Sequence, residues 1–273
     1  MYLKCNKSTF FITKDRELDT IPILFIHGFT GSSKIWNTIR SNVSNPSFAI
    51  DIPGHAKSTF DNLSERYFFK DFTNELYMCL IKLNISKVHI CGYSLGGRLA
   101  LCFAAKYPEM IESLFLESTT LGIESIEEKR SKLEEDLELS ETINTSLFEF
   151  IDIWKNNNLF AHQKSRNIEE YNIQNEIRES HNNKQLSFSL KSFTKGSMPY
   201  MLHQYQKFRF PITIINGKDD IKYIKEGREM LKLNNNSKQY IVNEASHNVH
   251  LENQDMYLEL LNDHIIDTTT YSG

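Results

Sequence analysis

Gly92-Tyr93-Ser94-Leu95-Gly96 sets a serine between two glycines, each two positions away. Small residues at those positions let the chain reverse sharply and leave the hydroxyl exposed, as a nucleophile or a base requires. A serine hydroxyl is inert unless a neighbouring base takes its proton. That base in turn needs a group that fixes its tautomer. Both follow downstream. Asn216-Gly217-Lys218-Asp219-Asp220 ends an apolar run with two carboxylates, and Ala245-Ser246-His247-Asn248 follows the next run. The order serine, acid, histidine is the one this kind of turn uses. Taken alone, Asp219-Asp220 reads as a solvated turn, but its place between an apolar run and the histidine makes it the source of the acid. Asp220 stands three residues after Gly217 and is preferred to Asp219; His247 is the expected base.

Charge that develops on a carbonyl oxygen during reaction needs backbone N–H donors aimed at one point. The run Ile23-Leu24-Phe25-Ile26 leads into His27-Gly28-Phe29-Thr30-Gly31, and the loop supplies one donor, the Phe29 N–H. The residue after the serine supplies the other, the Leu95 N–H. His55, in Asp51-Ile52-Pro53-Gly54-His55, reads as a residue that caps local backbone. His250 reads as a surface histidine or one that supports the site from behind, outside the catalytic set. Arg98 follows the serine by one helical turn and should point into the pocket. A buried cation is costly unless something supplies the opposite charge: either a ligand carboxylate or an acid from a lid or a loop.

These residues need a scaffold that brings distant segments together. Short apolar runs recur at Pro22–Ile26, Phe48–Ile52, Val88–Cys91, Ser113–Leu116, Ile212–Ile215 and Gln239–Val242 and are predicted strands. Helical periodicity fills most of the intervals, as in Phe68–Leu83 and Leu95–Lys106. Strands alternating with helices predict an α/β fold with a mostly parallel central sheet. The alternation stops at Gly122, and from there to about Tyr205 the pattern is helical throughout. The organisation expected is therefore a core of residues 1–122 and 206–273 with a helical lid, 123–205, inserted over the carboxyl ends of the strands, where open α/β sheets keep their sites.

The 273 residues suit one large core with an insertion. With 31 basic and 35 acidic residues dispersed along the chain, no basic block offers itself to nucleic acid. No apolar stretch is long enough to span a bilayer, and the first residues lack a signal-peptide apolar region. Cys5, Cys79, Cys91 and Cys102 show no C-x-x-C spacing and read as reduced packing residues. A cytoplasmic protein without membrane insertion is expected.

The motifs HGFTGS, DIPGHAKS, GYSLGGR, NGKDD and ASHNVHLEN resemble those of the α/β-hydrolase-fold superfamily. Within it, Arg98, the segment Phe150-Ile151-Asp152-Ile153-Trp154, the turn Asp220-Ile221-Lys222-Tyr223 and the ending His247-Asn248-Val249-His250-Leu251-Glu252-Asn253 resemble the menaquinone-pathway lyase 2-succinyl-6-hydroxy-2,4-cyclohexadiene-1-carboxylate synthase. The resemblance implies a lyase, without metal or other cofactor, that eliminates pyruvate from 2-succinyl-5-enolpyruvyl-6-hydroxy-3-cyclohexene-1-carboxylate. Ser94, His247 and Asp220 would act together as base. Tyr93 and Trp154 would line the pocket, and Arg98, Lys132 and Arg178 would hold the carboxylates of a small polycarboxylate substrate. Three positions depart from the family pattern. Lys132 stands where an arginine is expected, with Arg130 as its alternative; Ala56 replaces a glycine; and Lys195-Gly196-Ser197 matches in part. The same triad would also serve a serine hydrolase working through an acyl-enzyme, while a non-catalytic ligand-binding protein would have no need of all three residues.

Overall fold

The fold is described from a computed structural model over residues 1–17 and 19–270. Nine strands form one sheet: β1 (Tyr2–Lys4), β2 (Ser8–Lys14), β3 (Ile23–Ile26), β4 (Ser47–Ile50), β5 (Thr59–Phe60), β6 (Val88–Tyr93), β7 (Ile111–Glu117), β8 (Ile212–Gly217) and β9 (Ser237–Val242). Their order is β1-β2-β4-β3-β6-β7-β8-β9, with β5 beside β2. All pairs from β4 through β9 are parallel. A parallel sheet covered on both faces calls for continuous apolar strands, and β3 shows how the faces divide. Leu24 and Ile26 join one buried cluster with Phe72, Leu76, Leu99 and Phe103, while Ile23 and Phe25 join another with Trp36, Ile39, Tyr257 and Leu261.

The helices of the core are α1 (Asn37–Ser41), α2 (Phe69–Lys82) and α3 (Leu95–Lys106). Between β7 and β8 the chain forms α4 (Ile126–Thr145), α5 (Leu147–Lys155), α6 (Gln163–Arg166), α7 (Ile168–Glu179), α8 (Asn183–Ser192) and α9 (Leu202–Tyr205). After β8 come α10 (Ile221–Leu233), α11 (Val249–Glu252) and α12 (Gln254–Thr270). No strand interrupts the described residues between β7 and β8. These helices carry a cluster of their own, Ile143, Phe150, Ile151, Leu186 and Leu190, with Phe29 and Trp154 packed against it. Positions 271–273 of the expected core lie outside the described residues.

The antiparallel edge of β1, β2 and β5 has no counterpart in the predicted strands. In β2, Phe10 and Ile12 are buried in alternation, a weak signal because Ser8 and Lys14 bound it and β1 is three mostly exposed residues. All four cysteines are buried and free. Cys5 and Cys79 bring their sulfurs to 3.5 Å.

Candidate active site

The serine turn is held by its neighbours on both sides. Ser94 adopts φ +51°, a left-handed conformation costly for any residue but glycine. The Ser94 N–H donates to Glu117 O at 2.9 Å, and Thr119 Oγ1 donates to Ser94 O at 2.9 Å. Gly96 lies so close to β3 that a Cβ there would stand 2.1 Å from Ile26 O. Glycine at that place is a packing requirement of the turn.

His247 lies between β9 and α11. Its Nε2 is 3.1 Å from Ser94 Oγ and its Nδ1 is 2.7 Å from Asp220 Oδ2. Histidine and aspartate are both almost wholly buried. The carboxylate thus fixes the tautomer in which Nδ1 carries the proton and Nε2 is free to accept one from Ser94. Asp219, the neighbouring carboxylate, faces outward and pairs with Arg166 of α6, whose hydrogen bond lowers the Asp219 pKa. Arg166 also reaches the buried Glu252, which accepts from the Ser246 N–H at 2.9 Å. One arginine from the helical segment therefore braces both loops that carry Asp220 and His247.

A cavity of about 580 Å³ opens over Ser94. Phe29, Tyr93, Trp154 and Phe160 give it an aromatic wall, and Arg98, Lys132, Lys195 and Lys222 contribute cationic side chains. Phe29 and Trp154 meet edge to face at 5.5 Å, and the Tyr93 hydroxyl donates to Asn248 Oδ1. Among the described residues neither Phe29 N–H nor Leu95 N–H is given to a protein acceptor. Leu95 is the first residue of α3, where N–H groups lack intrahelical partners and attract negative charge.

The cations differ in their commitments. Arg98 donates to Phe193 O at 2.9 Å and lies over the Phe69 ring. Among the described residues it forms no ion pair, and burial pulls its pKa below the usual arginine value. The acid that would have neutralised it within the protein is absent from its contacts. Lys132 reaches the cavity wall, but Glu135 and Asp136 hold its ammonium at 3.1 and 2.9 Å; a lysine in mid-helix finds its partners three and four residues on. Arg130, its alternative, is exposed.

Arg178 is placed differently from the expectation. It stands outside the cavity lining, buried over the Phe160 ring at 5.0 Å, with Nη1 on Asn175 and with Nε and Nη2 unpartnered. Burial brings its pKa down to about 10. The last turn of α7 carries it behind the aromatic wall, a tertiary placement that helical periodicity does not report. Lys195 and Lys222 entered the sequence reading only as members of the Lys195-Gly196-Ser197 and Asp220-Ile221-Lys222-Tyr223 motifs, without a site role; the structure places both on the cavity wall. Burial first, and the Lys222 charge next, lower the Lys195 pKa.

Behind the serine turn, His250 and Glu117 form a fully buried pair, with Nδ1 2.7 Å from Oε2, while the His250 N–H donates to Oε1 at 3.1 Å. His250 is therefore no surface residue: the end of β7 presents a carboxylate that draws it inward. His55 is also buried, in ring contact with His27, Phe29 and His181. Among the described residues no group of three or more His, Cys, Asp or Glu side chains is arranged to hold a metal ion, and no helix is long and apolar enough to cross a membrane.

A serine activated by a carboxylate-oriented histidine, two N–H donors beside it and a cation-bearing cavity above can deprotonate or attack a substrate carbonyl compound and hold its carboxylates. Residues 21–254 match the family model described as alpha/beta hydrolase fold. A putative 2-succinyl-6-hydroxy-2,4-cyclohexadiene-1-carboxylate synthase of Bacillus subtilis (strain 168) is 31% identical over 88% of this chain and 89% of its own length. The synthase of that name from Enterobacter sp. (strain 638) is 24% identical over 85% and 86%. Among solved structures, MenH from S. aureus superposes with a TM-score of 0.88 at 23% identity, covering 97% of this chain and all of that one. A thermophilic esterase from Thermogutta terrifontis gives 0.83 at 16% identity, covering 98% and 99%.

Proposed function

This chain belongs to the α/β-hydrolase-fold family and, within it, to the 2-succinyl-6-hydroxy-2,4-cyclohexadiene-1-carboxylate synthases, and on that premise we propose that it is the cytoplasmic menaquinone-pathway lyase that eliminates pyruvate from 2-succinyl-5-enolpyruvyl-6-hydroxy-3-cyclohexene-1-carboxylate. The observation that carries this reading is Arg98: a half-buried guanidinium at the cavity, one turn beyond Ser94, with no protein carboxylate paired to it. A neutral ester gives such a cation nothing, whereas a substrate carboxylate supplies a charge-assisted hydrogen bond of about 1.5 to 3 kcal/mol. Lys195 and Lys222 add positive charge to the same cavity.

In this proposal Ser94 Oγ gives its proton to His247 Nε2 and takes one from the carbon alpha to the succinyl ketone. The electron pair left behind is held as an enolate, whose oxygen accepts from the Phe29 and Leu95 N–H groups. Collapse of the enolate forms a ring double bond between C2 and C3, shifts the existing C3–C4 double bond to C4–C5, and breaks the bond from C5 to the enolpyruvyl oxygen. That group leaves with the bonding pair and becomes pyruvate on protonation of its methylene carbon. Asp220 keeps His247 in the accepting tautomer and balances the imidazolium. Tyr93 and Trp154 line the pocket, and helices α4–α9 serve as its lid. Lys132 and Arg178 would contact carboxylates after a lid adjustment that frees the first from Glu135 and Asp136 and exposes the second.

The same triad geometry suits an acyl-enzyme hydrolase, and one experiment separates the two readings. Purified protein is mixed with the enolpyruvyl substrate, quenched rapidly and weighed intact, and pyruvate is measured beside a panel of simple esters. Equal amounts of pyruvate and cyclohexadiene product with unmodified Ser94 support the lyase. An adduct on Ser94 that forms and decays at the turnover rate removes the base assignment, and ester hydrolysis without pyruvate release removes the lyase.

A further inference from the structure

The Phe29 N–H is useful as an oxyanion donor only if its peptide plane is held, and the hydrogen bonds around it run back to the lid. That N–H shares a peptide unit with Gly28 C=O, so whatever orients the carbonyl orients the donor. Gly28 O accepts from the Gly31 N–H at 3.0 Å. The Gly31 N–H belongs in turn to the peptide of Thr30 C=O, and Thr30 O is 3.0 Å from His181 Nε2. His181 stands between α7 and α8, in the lid. Its other nitrogen, Nδ1, is 3.0 Å from the Ala56 N. A backbone N–H can only donate and a carbonyl can only accept, so the pair of contacts admits one neutral tautomer: Nδ1 accepts from Ala56 and Nε2–H donates to Thr30.

Both residues that His181 grips have left-handed backbones, Thr30 at φ +64° and Ala56 at φ +43°. Each conformation costs about 1 to 3 kcal/mol outside glycine and persists only where the surroundings enforce it. Ala56 carries a Cβ at a positive φ that glycine would adopt freely, so in this chain the turn depends on an external hold. His181 is 5% exposed and its ring also meets His55 at 5.4 Å, which meets the Phe29 ring at 5.4 Å.

We infer that His181 is a positioning residue for the oxyanion site: through successive peptide units, His181 to Thr30 C=O and Gly31 N–H to Gly28 C=O, it acts beside His27, whose Nδ1 donates to Gly28 O at 2.7 Å, in directing the Phe29 N–H, and it couples that donor to the seating of the lid. Successive hydrogen bonds in a dry interior polarise one another, so loss of the first loosens the last. The inference rests on the reading of Phe29 as an oxyanion donor, and it is independent of which substrate the cavity takes.

The test therefore uses a reagent that needs the oxyanion site whatever the natural substrate: the rate at which a fluorophosphonate labels Ser94, followed by intact-protein mass across a pH series. Removing an oxyanion donor outright costs about 10²- to 10³-fold. His181→Leu, which fills the space and makes neither bond, should label about 10- to 100-fold more slowly across the pH series, with the shape of the pH–rate profile unchanged. His181→Gln, whose amide can accept from Ala56 and donate to Thr30, should recover most of the rate. Should the leucine variant not fold, His181→Asn, one methylene too short to span both partners, carries the same expectation. Labelling of a folded leucine or asparagine variant within twofold of the wild type, or a slow rate accompanied by a changed pH–rate profile, overturns the inference. Wild-type protein that does not label removes the oxyanion site and the inference with it. Wild type that labels but releases no pyruvate removes the lyase reading alone.

Discussion

Replacing Arg98 by methionine should damage catalysis while leaving the fold as stable as before or more so. Of the five guanidinium N–H donors, one goes to Phe193 O. Asp136, the acid whose charge Arg98 feels, is already engaged by Lys132 at 2.9 Å and Thr194 at 2.5 Å. The charge is thus desolvated with no acid in contact to compensate it in the free protein, a state that desolvated ions tolerate poorly. Methionine keeps the apolar stem and removes the guanidinium with its charge, its bond to Phe193 O and its place over the Phe69 ring; relief of the desolvated charge offsets those losses, so the melting temperature should hold or rise. Loss of one charge-assisted bond to substrate, about 1.5 to 3 kcal/mol, corresponds to roughly a 10- to 150-fold fall in kcat/KM. The assay compares Arg98→Met with wild type on the enolpyruvyl substrate and on a neutral ester, alongside thermal unfolding. The fall should be confined to the carboxylate-bearing substrate. Equal losses on both substrates, or a melting temperature several degrees lower with unchanged turnover, would refute the reasoning and make Arg98 a structural residue.

Asp220→Ala should cut turnover by several orders of magnitude because His247 loses its orienting carboxylate, whereas Asp219→Ala, which breaks only the contact to Arg166, should remain within a few fold of wild type; the reverse ranking in steady-state kinetics would reassign the acid. Stability should fall as pH drops from about 6.5 toward 4, since burial holds His27 and His89 down to about 4 and His264 to about 3, so below the ordinary histidine pKa the unfolded chain binds more protons than the native one. Each should contribute a loss of ~2 kcal/mol at pH 5, and equal urea-unfolding free energies at pH 7.5 and 5.0 would contradict the assignment.

The parallel part of the fold was legible because its strands are continuous apolar runs that end in glycine-bearing turns. The candidate site was legible for the same reason: Ser94, Asp220 and His247, which the fold brings within hydrogen-bond distance, each follow such a run within a few residues. Helix α3 follows from the apolar spacing behind the serine. What sequence could not place were side chains whose surroundings come from elsewhere in the chain. Lys132 is compatible in sequence with facing a ligand or its own helix neighbours, and the rotamer that meets Asp136 is decided by packing. Arg178 disappears behind Phe160 because of how α7 seats on the core. Likewise, nothing near His250 in sequence announces Glu117, which lies 133 residues away, and nothing near His181 announces Thr30, 151 residues away.

The helices between β7 and β8 stretch the connection between two paired, parallel strands from Glu117 to Ile212. In polymer terms this is a loop of about 95 residues closed by a sheet, where an ordinary crossover would need about 20. Closure entropy grows as (3/2)RT times the logarithm of length, so the excess is only ~1.4 kcal/mol, less than the burial of one large side chain. Lengthening or shortening the helices over the cavity thus barely taxes the sheet beneath. In chain-entropy terms the length of this segment is almost uncoupled from keeping the sheet closed, so changes of ligand preference can accumulate in it wherever Arg166 and His181 keep their contacts with the core.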